Sequence, residues 1–156
     1  MRMNKGTKLS LSILLPLIIG AVSGFYTSSN IENWYVNLNK PSFNPPNYLF
    51  GPVWTTLYIL MGISFFLILN SAKANKNKLI GIYLFQLLLN FLWSFIFFKF
   101  HALGIAAVEI ILLWGSILYM IVHFYKVNKW AGLINIPYLL WVSFASVLNI
   151  SIYLLN

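Results

Sequence analysis

Leucine, isoleucine, phenylalanine and valine run almost without interruption through five stretches, at about residues 9–28, 49–70, 79–98, 102–125 and 131–155, with short polar joins between them. The apolar positions are continuous instead of alternating, so the stretches read as helices and not as strands of a membrane barrel. Crossing about 30 Å of hydrocarbon at about 1.5 Å per residue takes roughly 20 helical residues, a length that each stretch meets. The pattern predicts an all-α integral membrane protein: one domain over residues 1–156, built as a bundle of five transmembrane helices.

One join is far longer than the others. Residues 29–48 include Lys40-Pro41-Ser42-Phe43-Asn44-Pro45-Pro46, and Pro52 follows at the start of the second stretch. Each proline fixes its own φ and biases its predecessor toward extended geometry, so this loop holds one shape at low entropic cost. It reads as a stiff lid over a pocket. The other joins only link antiparallel neighbours, the tightest being Lys99-Phe100-His101. Pro16 and Pro137 fall inside the first and fifth stretches, where each predicts a kink. Residues 1–28 have the basic start and apolar middle of a signal peptide, with Ser28 and Ser29 near the end. The run is long for such a peptide, and Gly20 with Gly24 gives it a helix-packing face, so it reads as the first span.

Composition sharpens this picture. The 156 residues are 60% hydrophobic and only 8% charged, too little polar surface to cover a soluble globule. The net charge of +8 does not point to nucleic acid, because the basic residues sit at the ends of the spans. With the N-terminus cytoplasmic, the inner segments hold Arg2, Lys5, Lys8, Lys73, Lys76, Lys78, Lys126 and Lys129, leaving Lys40 and Lys99 outside. That bias places the chain in the cell membrane with the long loop and Asn156 on the exterior. With no cysteine there are no disulfides, thiolate metal sites or cysteine nucleophiles. His101 and His123 have no metal-ligand spacing and read as interfacial. No metal and no cofactor is expected.

Candidate chemistry lies on three helical faces. Gln86, Asn90, Trp93 and Phe97 share a face of the third span, and their amides are either bonds between helices or ligand contacts. Trp54, Tyr58, Met61 and Phe65 share a face of the second span, as Trp141, Ala145 and Asn149 do on the fifth. Together they could enclose a pocket for a flat, apolar, aromatic ligand that stacks on indoles and takes one or two hydrogen bonds. Trp34, Trp114 and Trp130 read as interfacial anchors. Glu109 is the only acid inside a span, and a structural hydrogen bond is its plainer role. No hydrolytic or phosphoryl-transfer constellation is present, nor the repeated halves of a secondary transporter.

Trp34-Tyr35, the Lys40-to-Pro46 run, Gly51-Pro52-Val53-Trp54 through Tyr58, Asn90-Phe91-Leu92-Trp93-Ser94, and Pro137-Tyr138-Leu139-Leu140-Trp141 through Asn149 together resemble the tryptophan-rich sensory protein or translocator protein family, also called peripheral benzodiazepine receptors. The resemblance covers nearly the whole chain. It implies a homodimeric five-helix bundle in membrane lipid that binds porphyrins such as protoporphyrin IX, and in animal relatives cholesterol and benzodiazepine-type ligands. It implies ligand contact at Trp54 and Trp141, which would also serve light-dependent porphyrin breakdown, with polar contacts at Asn90 and Trp93 and a lid at Tyr35 and Pro45. Leu148 to Tyr153 resembles the proposed cholesterol motif but lacks its basic residue, so that motif leaves sterol binding open here. The leading expectation is a porphyrin receptor using Tyr35, Pro45, Trp54, Tyr58, Gln86, Asn90, Trp93, Trp141 and Ala145. The alternatives are photo-oxidative degradation of the bound porphyrin and transport of tetrapyrroles or other amphiphiles.

Overall fold

The computed structural model describes residues 4–72 and 75–156. Arg2 and Lys73, two of the charges used for orientation, lie outside the described residues. Six α-helices carry the fold: α1 (Lys5–Asn33), α2 (Phe50–Asn70), α3 (Lys76–Ser94), α4 (Leu103–Val127), α5 (Lys129–Leu133) and α6 (Ile136–Leu155). There is no strand among the described residues. α5 and α6 together make the fifth span, and all five spans are long and apolar enough to cross a membrane. Phe25, Phe85, Val108, Leu140 and Leu154 stand exposed on the outer surface, as expected of side chains that face lipid.

Neighbour contacts close a ring in the order first, second, fifth, fourth, third span, and back to the first. α1 is capped by Asn4, whose side chain accepts from the Thr7 N–H at 2.7 Å. It runs to Asn33, longer at both ends than the apolar stretch 9–28, because its last turns are polar and face the loop. Pro16 lies within α1 and cannot donate to the Ser12 carbonyl. That carbonyl lies against Gly62 of α2, where an added Cβ would sit 2.7 Å from Ser12 O and 2.5 Å from Ile13 Cα. A glycine is therefore needed for the two helices to approach this closely.

Pro137 does not kink a continuous helix as the sequence predicts. The fifth span breaks between Leu133 and Ile136, and Pro137 occupies the first turn of α6, where its missing N–H costs nothing. Asn135 at the break donates to the Ser64 hydroxyl at 2.7 Å and to the Ala131 carbonyl at 2.8 Å, and Ser64 also bonds that carbonyl at 2.6 Å. This knot replaces the helical bonds lost at the break and ties the fifth span to α2.

At the opposite end, α3 continues through one wide π-helical turn, Phe95–Lys99, before the join to α4. His101 turns the chain with φ 54°, an unusual backbone for a residue with a side chain. Its ring stacks on Trp34 at 4.0 Å, and Nε2 lies 3.2 Å from Asn30 Oδ1, so the join is fastened to the end of α1.

Candidate functional site

The long loop is short of regular structure but well tied. Lys40 turns inward and its ammonium donates to the carbonyls of Tyr35, Val36 and Leu38 at 2.8, 3.0 and 2.8 Å, closing a single 3-10 turn over Tyr35–Asn37. A tight turn from Pro41 to Asn44 follows, and Asn44 Oδ1 accepts from the Tyr35 hydroxyl at 2.6 Å. Tyr35 is 2% exposed, and burial pushes its phenol up to about 12. The loop is also held to the end of α6. Asn39 N–H donates to Asn156 Oδ1 at 3.0 Å, Asn156 Nδ2 donates to Asn39 O at 3.0 Å, and Asn39 Nδ2 donates to Leu155 O at 3.2 Å.

Beneath this loop lies a cavity of about 600 Å³. Its walls come from α1, α2, the end of α3 and α6, with Tyr35, Asn47 and Tyr48 above; α4 contributes nothing. The α1 wall is mostly small side chains, among them Gly20, Ala21, Ser23, Gly24 and Thr27. The other walls are aromatic: Phe50, Trp54 and Tyr58 on α2, Trp93, Phe97 and Phe98 beyond them, and Trp141 on α6. Trp54 stacks on Tyr58 with ring centres 5.6 Å apart and 28° between planes, while Trp141 meets Phe50 edge-on at 6.2 Å.

A chain of hydrogen bonds backs the cavity. The Tyr58 hydroxyl donates to Asn90 Oδ1 at 2.7 Å, Asn90 Nδ2 donates to the Tyr138 hydroxyl at 3.0 Å, and that hydroxyl donates to Gln86 Oε1 at 3.0 Å. Trp93 Nε1 donates to Asn149 Oδ1 at 3.0 Å, and Asn149 Nδ2 reaches the Leu103 carbonyl at 3.3 Å. The second and fifth spans are thereby locked to the third. Two polar groups in the cavity wall stand apart from this. Ser23 Oγ and Trp141 Nε1 are buried without a hydrogen-bond partner among the described residues.

Of the residues singled out in the sequence, Tyr35, Trp54, Tyr58, Trp93, Trp141 and Ala145 all line the cavity. Gln86, Asn90 and Pro45 do not. The two amides are buried behind the wall, bonded to the Tyr58 and Tyr138 hydroxyls, and Pro45 is half-buried in the loop, its carbonyl accepting from Asn44 Nδ2 at 3.1 Å. The small α1 face and Phe98 were missed. Gly20 and Gly24 carried the signal for that face, but their spacing fits helix packing equally well. Phe98 joins Phe97 in the wall at the wide turn, which no sequence period marks.

Two other sequence expectations need correction. Trp114 is no interfacial anchor: it sits mid-helix in α4 and its N–H donates to Ser143 Oγ at 2.8 Å, a bond between spans. Glu109 makes no structural hydrogen bond. Its carboxyl is buried and neither oxygen has a partner among the described residues. No cluster of potential metal ligands occurs among the described residues either.

Comparison with known proteins now bears on this arrangement. The pattern of the TspO/MBR family matches residues 12–155. The chain is 43% identical over 149 residues to a tryptophan-rich protein TspO of Archaeoglobus fulgidus, covering 96% of this chain and 97% of the relative. It is 37% identical over 123 residues to the translocator protein of Homo sapiens, covering 77% and 73%. It is 32% identical over 125 residues to a tryptophan-rich sensory protein of Cereibacter sphaeroides, covering 80% and 78%. A family pattern that spans nearly the whole chain, and relatives this similar over most of their length, make this five-helix membrane protein a member of the TspO/MBR family.

Proposed function

We propose that this protein is a membrane receptor for porphyrins, with protoporphyrin IX as the representative ligand, and for other flat apolar molecules of similar size. The observation that carries this reading is the cavity of about 600 Å³ under a tied-down loop, with three indoles in its wall. A site of a few hundred cubic ångströms lined by aromatic groups, with few polar atoms, suits a planar macrocycle that gains dispersion and ring stacking on entry. A macrocycle seated there meets Trp54 and Trp141 on its aromatic side and the glycine-rich face of α1 on the other. Asn90 acts one step back, holding the Tyr58 ring upright. The propionates of a porphyrin would stay toward the loop, since no lysine or arginine among the described residues lines the cavity.

Trp54 and Trp141 in one wall also favour a second reading, in which excited porphyrin passes its energy to dioxygen and the macrocycle is oxidised beside the indoles. Titration of purified protein with protoporphyrin IX, first in the dark and then under light, separates the readings. Saturable dark binding that Trp54→Phe with Trp141→Phe weakens supports the receptor; light-driven loss of the porphyrin bands in wild type alone adds the photochemistry. Absence of saturable binding overturns both.

A further inference from the structure

The lipid-facing side of α3 and α4 carries a second concavity. It is a groove of about 580 Å³ lined by Gly81, Ile82, Phe85 and Leu89 on α3, and by Ile111, Leu112, Gly115, Ser116 and Tyr119 on α4. Nothing lies within 4 Å of where a Cβ would stand on Gly81 or Gly115, so the two glycines open the groove to whatever lies outside. We propose that this groove holds one acyl chain of an anionic phospholipid, whose phosphate rests between Lys78 and Lys126.

Helical spacing puts both lysines past the end of the groove that Gly81 and Tyr119 mark, Lys78 by about one turn and Lys126 by about two. Lys78, Ile82, Phe85 and Leu89 follow i, i+4, i+7 and i+11 spacing and share one stripe of α3, while Leu112, Tyr119 and Lys126 share one of α4. α3 and α4 are antiparallel neighbours joined at residues 100–102, so counting about 1.5 Å per residue from that join puts Lys78 and Lys126 at nearly the same depth, at the opposite end of the pair. From Gly81 to Leu89 the groove descends about 12 Å from that end, reaching toward the middle of a hydrocarbon layer about 30 Å thick. It is therefore as deep as one leaflet, the span of a single lipid chain.

Charge selects the head group. Both lysines are exposed, and neither ammonium has a partner among the described residues. The chain has only two acids. Glu32 lies at the far end of α1, and Glu109 is buried on α4 about 25 Å along the helix from Lys126. Lys5, Lys8, Lys76 and Lys129 share the same end of the bundle, so no protein carboxylate there can neutralise the mouth. A phosphate whose lipid carries net negative charge can.

The test is lipid retention by the purified full-length protein, counted by native mass spectrometry with phosphatidylglycerol and phosphatidylcholine of identical chains. Wild type should prefer phosphatidylglycerol by about tenfold. Lys78→Gln with Lys126→Gln should remove most of that preference, while Lys5→Gln with Lys8→Gln, the same charge change on α1, should leave it. A Cβ at Gly115 meets nothing within 4 Å, so Gly115→Leu enters the groove from an open position and should lower retention of phosphatidylglycerol at unchanged thermal stability. Equal losses from both lysine pairs would reduce the effect to general surface charge and overturn the proposal. So would a Gly115→Leu protein that keeps its lipid but loses self-association, because the groove would then seat a second copy.

Discussion

The Tyr58 hydroxyl reaches 2.7 Å to Asn90 Oδ1, and this bond sets where the cavity ends, because the ring it holds is part of the wall and the amide that holds it is not. Asn90 does not line the cavity, and its side chain bonds within the bundle: its carbonyl accepts from Tyr58 and its NH2 donates to Tyr138. Asn90→Leu leaves the Tyr58 hydroxyl without its acceptor, at a cost of about 1–3 kcal/mol where no water enters, while the Tyr138 hydroxyl keeps its bond to Gln86. The expected result is a lower melting temperature together with weaker porphyrin binding. Tyr58→Phe should lower stability less, since the stacking of the ring on Trp54 remains. Differential scanning fluorimetry with a parallel porphyrin titration measures both.

The glycine pair in α1 predicts opposite outcomes for the same substitution. A methyl group on Gly20 overlaps the Tyr58 ring, which Asn90 holds in place, whereas one on Gly24 meets nothing within 4 Å. Gly20→Ala should displace the ring and impair binding several-fold. Gly24→Ala should fold at least as well as wild type, gaining up to about 1 kcal/mol of helix propensity, and should change affinity only as far as one methyl narrows the cavity. Affinities of the two variants for protoporphyrin IX, set against their melting temperatures, decide it.

Gly62 marks a close backbone approach of α2 to α1 that helical spacing did not disclose. A Cβ there would lie 2.5 Å from the Ile13 backbone, which cannot step aside as a side chain would. Gly62→Ala should therefore cost about 1–3 kcal/mol by forcing the helices apart, while Gly81→Ala on the open face of α3 should cost nothing. Thermal unfolding in a fixed detergent compares them.

The lid should loosen in base. Tyr35 is protonated in the folded protein to a pH of about 12, above the usual value near 10, because burial disfavours the phenolate. Its contribution is fully present below pH 10 and is lost as pH rises from 10 through about 12. Tyr35→Phe loses the bond to Asn44 and should lower the melting temperature already at pH 8, while shrinking the further fall toward pH 12. Melting temperature followed from pH 8 to 12 is the measurement.

Clamping by Asn39 and Asn156 makes the loop's position depend on the end of α6. Asn156→Ala removes two of the three bonds and should speed porphyrin exchange in stopped-flow experiments more than it changes equilibrium affinity, because the clamp touches the lid and not the cavity.

The spans and their aromatic faces were legible because hydrocarbon imposes length and continuity on the sequence. Tyr35, Trp54, Tyr58, Trp93, Trp141 and Ala145 could be grouped from helical spacing and family motif together. What spacing could not resolve was competition for the same groups. Asn90 and Gln86 share the right face, but two tyrosine hydroxyls on other spans reach them first. Lys40 counted only as a charge on the exterior side, because its three carbonyl partners exist only once Tyr35–Asn37 has turned. Pro137 looked internal because the Asn135 and Ser64 bonds that permit a break lie 71 residues apart.

The cavity has one smooth side and one rough side. On α1 a planar guest meets mostly hydrogen atoms and short side chains, which present no notch to register against. On α2 and α6 it meets the rings of Phe50, Trp54, Tyr58 and Trp141, packed against one another in pairs and held at Tyr58 by a hydrogen bond. Orientation of the guest is then decided on the ring side and thickness on the α1 side, so the two properties can vary separately. Bulk added along Ala21 and Gly24 would sort guests by how flat they are, without turning them.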